Sequence, residues 1–287
     1  MLKTKSTKWD WEISSKSSWW DIDIKEWWIY RHLLARLVRR DFLLNYQQTV
    51  LGPAWIVLQP ILTLIIYVLV FGKIIGVPIG NTDPVLFYLS GIILWNFFNE
   101  TFLGTAFTFT QNAYLFSKVY FPRLTIPLSS LASNLLRFFI QLLLLLIVMT
   151  YYYFFRHIPV HLNYWTLALP IVLLLTGLTG FASGIIFSIL TAKYRDLVNV
   201  VHLGIRLLMF VTPVLYPYSV ISKKMNFKWI VNLNPLSSLF EVFRYGLLGT
   251  GQFSYGQLAY SISFTVLIFI ASLSIFSRQG DKLMDVV

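Results

Sequence analysis

Phe116-Ser117-Lys118-Val119-Tyr120-Phe121-Pro122-Arg123 separates two long hydrophobic runs, roughly 87–110 and 127–155. Each run is long enough to cross a bilayer as a helix, which takes about 20 apolar residues. The connection is short, yet it carries two cations, three aromatic rings and a proline. A passive linker needs none of these, so the segment reads as one built to touch something at the membrane surface.

The rest of the chain agrees with a membrane setting. Of its 287 residues, 57% are hydrophobic and 12% charged, with mean hydropathy +0.68. A soluble domain carries about 25% charged residues. The expected fold is an all-α membrane protein with six transmembrane helices. Their spans are about 54–75, the two runs above, 165–190, 200–216 and 258–276. The first begins after a break at Gly52-Pro53. There is no cysteine, which excludes disulfides, zinc–thiolate and iron–sulfur centres. Of the four histidines only His157 and His161 share a helical spacing, and they flank Pro159, so no metal site is expected. No apolar run with a cleavage site opens the chain.

Residues 1–24 are polar and contain Trp9, Trp11, Trp19 and Trp20, which suits a loosely ordered or interfacial tail. In 25–46, Trp27, Trp28, Leu34, Leu37, Val38 and Phe42 alternate with Arg31, Arg36, Arg39 and Arg40. That pattern predicts a basic amphipathic helix lying in the membrane interface. The six-span domain covers 47–287. Within it, 217–249 contains Pro217, Lys223, Lys224, Lys228, Asn234-Pro235 and an amphipathic run to Leu248. That run is too short and interrupted for a full span. A re-entrant outer helical hairpin between the fifth and sixth spans fits better, since irregular backbone at membrane depth needs protein or water around it.

The net charge of +11 is unevenly spread. With both termini inside, fifteen Lys and Arg fall on the inner side and six on the outer, with Arg137 and Arg206 inside spans. This asymmetry predicts cytoplasmic termini and places 116–123 in the cytoplasm. It also explains the basic composition without nucleic acid.

Asn96, Asn99 and Glu100 share one side of the second span. Asn134, Arg137 and Gln141 share a face of the third, at i, i+3 and i+7. Residues 100 and 137 are equidistant from the middle of the connecting segment, so an antiparallel hairpin sets them at similar depth. An intramembrane carboxylate is costly and marks a partner or a pathway. The expectation is a Glu100–Arg137 pair, with Arg206 as a rival partner. Trp95, Phe98 and Phe102 occupy another arc. Interhelical or lipid packing is the default for them, and the sharper alternative is a channel lined with stacking platforms for sugar rings.

Four segments, in order and spacing, resemble the permeases of polysaccharide-exporting ABC transporters, the type-2 exporters of O-antigen, capsule and teichoic acid. They are Asn45-Tyr46-Gln47-Gln48-Thr49-Val50-Leu51-Gly52-Pro53-Ala54-Trp55 with Gln59-Pro60; Lys118–Arg123 with Pro127; Tyr194-Arg195-Asp196-Leu197 followed by Thr212-Pro213-Val214-Leu215-Tyr216-Pro217; and Asn234-Pro235-Leu236 with Phe243-Arg244. The resemblance implies a homodimer working with two copies of a separate ATP-binding subunit in the bacterial inner membrane. Its substrate would be a polysaccharide on undecaprenyl diphosphate, most closely O-antigen. No cofactor is expected on this chain, since it has no G-x-x-x-x-G-K-[ST] phosphate loop. ATP and Mg²⁺ would sit on the partner.

The resemblance also implies site roles. Ser117, Lys118, Val119, Tyr120, Phe121, Pro122 and Arg123 become an ATPase-coupling helix, with Tyr120 and Phe121 as anchors; the alternative is an anchor at lipid headgroups. Arg31, Arg36, Arg39 and Arg40, with Tyr194, Arg195 and Asp196, become a cytoplasmic interface, or simply membrane-surface and helix-end residues. Pro213, Tyr216, Pro217, Asn234, Pro235 and Arg244 become an outer gate, or an ordinary loop with an interfacial helix. Its cations, Arg244 among them, would meet lipid phosphates. A drug or haem exporter of the same fold is the near rival. A membrane glycosyltransferase fits poorly, because most of the twelve carboxylates lie before residue 27 or near the C-terminus.

Overall fold

A computed structural model of the chain describes residues 30–80, 82–118, 121–157, 163–220 and 228–283. The 1–24 tail, Trp27, Trp28, Val119, Tyr120, Lys223 and Lys224 lie outside the described residues. Within them every regular element is helical. In chain order these are α1 (Arg31–Leu44), α2 (Trp55–Tyr67), α3 (Pro84–Ala106), α4 (Thr108–Lys118), α5 (Thr125–Arg156), α6 (Leu169–Lys193), α7 (Leu197–Val211), α8 (Lys228–Leu233), α9 (Pro235–Leu248) and α10 (Tyr255–Leu283). A 3₁₀ turn, Gly52–Ala54, opens α2, and π-helical Val68–Ile74 prolongs it. A second 3₁₀ turn, Tyr164–Ala168, leads into α6.

Among the described residues, four helical stretches are long and apolar enough to cross a membrane: Gly52–Ile74, Thr125–Arg156, Tyr164–Lys193 and Tyr255–Ser277. The other two expected spans fall on α3 and α7. Helix α3 has 23 residues but carries Ser90, Asn96, Asn99, Glu100, Thr101 and Thr105. Helix α7 is apolar but only 15 residues long.

Helix α3 is the hub, packing on α2, α5, α6 and α9. Its apolar residues lie on all sides rather than in a stripe, the pattern of a helix enclosed by protein, and Leu86–Trp95 are buried without a break. Asp83 starts it by accepting the Val85 N–H at 2.8 Å, and Pro84 follows where a missing N–H costs nothing. The α3–α6 contact is close because α6 offers glycine. A Cβ on Gly184 would stand 2.8 Å from the Phe102 carbonyl oxygen, and one on Gly180 would stand 3.1 Å from that of Phe98. Small residues permit such backbone approach between membrane helices.

Helix α2 contains Pro60. A proline inside a helix cannot donate to the carbonyl four residues back, here Ile56. That carbonyl instead accepts from Gln141 Nε2 of α5 at 3.3 Å. One side chain of the polar face of α5 thus closes a gap that the sequence opens in α2.

Helix α9, at 14 residues, is about 21 Å long, short of the roughly 30 Å hydrocarbon core. It is buried on nearly every side, so its end groups need partners inside the protein. Asn234 Oδ1 accepts the Leu236 N–H at its start. At its end, Asn163 Nδ2 donates to the Tyr245 carbonyl and Thr166 Oγ1 to that of Gly246. Gly249, at φ 69°, supplies the left-handed residue that stops it. Hydroxyl pairs Ser238–Ser261 and Thr179–Thr265 fasten α10 to α9 and α6.

Candidate functional site

Two polar clusters interrupt this packing. The first lies where α1 and α4 meet α3 and α5. Arg137 Nη1 of α5 donates to Glu100 Oε2 of α3 at 3.1 Å and to Asn134 Oδ1 at 3.3 Å. Its guanidinium also lies 5.6 Å from the centre of the Tyr46 ring. Beside it, Arg40 of α1 donates to Asp41 Oδ1 through Nε at 2.9 Å and Nη2 at 2.7 Å. Nη2 also reaches Asn112 Oδ1 of α4 at 3.3 Å. Asp41 Oδ2 in turn accepts from Ser129 of α5, so the acid ties the basic helix to the third expected span. These groups surround a cleft of about 650 Å³.

The second cluster is centred on α9. Arg244 is 1% exposed and Glu241 3%. The guanidinium donates to the Pro213 carbonyl and, at 2.8 Å, to that of Val214. It lies 3.8 Å over the Phe87 ring of α3 and 3.6 Å from Glu241. Glu241 accepts the Tyr218 N–H at 3.2 Å and the Gln252 N–H at 2.9 Å with its two oxygens. Asn234 Nδ2 adds a bond to Thr212 Oγ1 at 2.8 Å. Helix α9 thereby grips the chain leaving α7 and the chain leading to α10. A buried charge pair is tolerable only when its remaining valences are filled, and these backbone partners fill most of them.

The predicted residues are distributed unevenly over the two clusters. Glu100 meets Arg137, not Arg206, which is exposed on α7. Asn96 and Asn99 stay half-buried on α3. Trp95, Phe98 and Phe102 are at most 7% exposed, with Trp95 against Phe240 and Phe102 against Phe187. The stacking-platform expectation is therefore corrected: interhelical packing claims these rings, and no sugar reaches them unless helices part. Arg244 is also corrected as a phosphate contact, because its charge is held inside by a carboxylate and two carbonyls. Pro213 is buried, and Tyr216 donates its hydroxyl to the Phe210 carbonyl. Pro217 is half-buried beside Glu241 and Arg244. Pro235 accepts from the Ser261 hydroxyl.

In the coupling segment, Ser117 and Lys118 close α4, and the Pro122 carbonyl accepts the Thr125 N–H that starts α5. Arg123 is half-buried. Phe121 is 8% exposed and belongs to a buried cluster with Leu37 of α1, Phe109, Ile126 and Phe276. Its ring ties the segment to its own chain, which corrects its expected role as an anchor in a partner. Arg31, Arg36, Arg39, Tyr194, Arg195 and Asp196 are all exposed, with Asp196 just ahead of the α7 N-terminus, where a negative charge is favourable.

Asp41 and Glu241 were not singled out from the sequence. Both had a signal: Asp41 adjoins Arg40 at the end of a basic helix, and Glu241 precedes Arg244 by three, the spacing of neighbours on a helix.

The ABC-2 type transporter family model matches residues 32–248. Two O-antigen export system permease proteins RfbA of Klebsiella pneumoniae are similar to this chain, at 29% identity over 255 residues and 30% over 259. Each alignment covers 89% of this chain and 95% of the relative. A third relative of the same name, from Myxococcus xanthus, is 29% identical over 216 residues, covering 75% of this chain and 80% of the relative.

Proposed function

The chain belongs to the ABC-2 type transporter family, and from that premise we propose that it is the membrane subunit of an ATP-driven exporter of a lipid-linked polysaccharide of the O-antigen class. The observation that carries this is the 30% identity to an O-antigen export permease across 89% of the chain. The engine is a separate ATP-binding subunit. In this reading two copies of each subunit assemble, ATP and Mg²⁺ bind on the partner, and the substrate rides on undecaprenyl diphosphate across the bacterial inner membrane. Six spans place both termini in the cytoplasm, α1 lies in the interface, and α8 with α9 forms a hairpin that enters from the outer side.

The two clusters suggest how force would travel. Residues 116–123 join α4 to α5, and α4 continues from α3. The Glu100–Arg137 bond couples α3 to α5 away from that connection. A push on the connection would then move both helices as one body. At the other cluster, α9 holds the exit of α7 and the entry of α10, so a shift of α3 beneath Arg244 would reach both.

The test is deletion and complementation in a host with a defined polymer. Without the chain, lipid-linked polymer should accumulate inside the cell and disappear from the surface, and the wild-type chain should restore it. The double reversal Lys118→Glu, Arg123→Glu should abolish recovery of the ATP-binding subunit with the chain. Normal surface polymer in the deletion strain would refute the polysaccharide reading.

A further inference from the structure

The cleft between α1, α3, α4 and α5 is a polar cavity of about 650 Å³. Its two guanidiniums are already matched, Arg40 by Asp41 and Arg137 by Glu100. The four charges cancel, so the cleft has little net attraction for an anion. It does carry a dense set of planar donors and acceptors. Gln111, Asn112 and Asn134 add amides, Ser130 adds a hydroxyl, and Tyr114 supplies a largely exposed ring at the wall.

This combination suits one ligand chemistry. A sugar presents hydroxyls that both donate and accept, and planar amide, carboxylate and guanidinium groups engage them in pairs. The C–H face of the ring packs on an aromatic side chain. A phosphate needs uncompensated cations or backbone N–H groups instead. An apolar acyl chain would leave these polar groups without partners. The volume falls within the usual 300–1,000 Å³ of small-molecule sites.

We propose that this cleft is a binding site for an uncharged sugar of one to a few rings. The proposal deepens the polysaccharide reading and rests on it for the source of the sugar. A ring seated there would touch α4, which ends in the coupling segment, together with both partners of the Glu100–Arg137 pair. Occupancy would thereby be sensed where the ATP-binding subunit is expected to press.

Saturation-transfer NMR on the full chain in nanodiscs, in complex with its ATP-binding subunit, tests the site with free mannose, galactose and N-acetylglucosamine as probes. At least one sugar should receive saturation from the wild-type complex. Gln111→Leu and Ser130→Val, both at the cleft wall, should each weaken its binding about tenfold, the loss expected for one hydrogen-bonding partner, without lowering the thermal midpoint. No transfer to any sugar, transfer unchanged in both variants, or displacement of the sugar by inorganic phosphate would overturn the proposal. Failure of the polysaccharide reading registers separately, as normal surface polymer in the deletion strain.

Discussion

Arg137 and Glu100, 37 positions apart, meet at 3.1 Å at the base of the hairpin formed by α3, α4 and α5. Their side chains are 15% and 30% exposed, so the pair sits at the edge of a water-accessible cleft rather than in a sealed core.

That setting fixes the size of the expected effect. Exposed pairs contribute about 0–1 kcal/mol, while breaking a fully buried pair costs about 3–5 kcal/mol. Glu100→Arg or Arg137→Glu alone should cost about 2–3 kcal/mol, lying between these limits. The double swap should recover part of the loss. Thermal unfolding in detergent measures all four combinations, and absence of recovery would show that the two side chains do not depend on each other.

Gln141 and Pro60 offer a second cycle. Gln141→Leu should leave the Ile56 carbonyl without a partner at the proline gap, costing about 1–3 kcal/mol. In the background of Pro60→Ala the helix can supply its own N–H, and Gln141→Leu should then cost clearly less. Equal costs in both backgrounds would disprove the capture of that carbonyl.

Arg244→Lys should be nearly as damaging as Arg244→Gln. A lysine cannot span the Pro213 and Val214 carbonyls with one rigid fork while facing Glu241. Both variants should lose about 3 kcal/mol or more by leaving buried partners unmatched. Glu241→Gln keeps one acceptor of two and should be milder. The readout is the fraction of chain remaining in monodisperse form after heating.

Two glycines separate packing from propensity. Gly184→Ala drives a Cβ into the Phe102 carbonyl and the Thr105 side chain, and overpacking of this kind costs about 1–3 kcal/mol. Gly204, on α7, has nothing within 4 Å, so Gly204→Ala should be neutral or stabilise by up to about 1 kcal/mol. The expected result is a lowered thermal midpoint for Gly184→Ala and an unchanged or raised one for Gly204→Ala.

Four of the six expected spans were legible in the chain because length and apolarity set them, and the Glu100–Arg137 contact was legible because a hairpin imposes mirror symmetry on depth. The fate of the aromatic rings was not. Periodicity assigns Trp95, Phe98 and Phe102 to an arc, but which neighbour covers that arc depends on the glycines of α6 and on the burial of α9. The same holds for Arg244. A cation beside a predicted outer loop looks solvent-facing until α9 is seen to be enclosed and the Pro213 and Val214 carbonyls turn towards it. Gln141 stood out on its polar face, but its purpose became visible only once Pro60 and Ile56 were adjacent in space.

The grip of α9 on its surroundings is made largely with main-chain atoms. Arg244 binds the carbonyls of Pro213 and Val214, and Glu241 binds the amides of Tyr218 and Gln252. Such bonds are indifferent to what the bound residues carry as side chains. Position 252, whose side chain is exposed, can therefore vary without loosening that frame, whereas Val214, 1% exposed, and Tyr218, whose hydroxyl donates to Asn232, are held by their side chains as well.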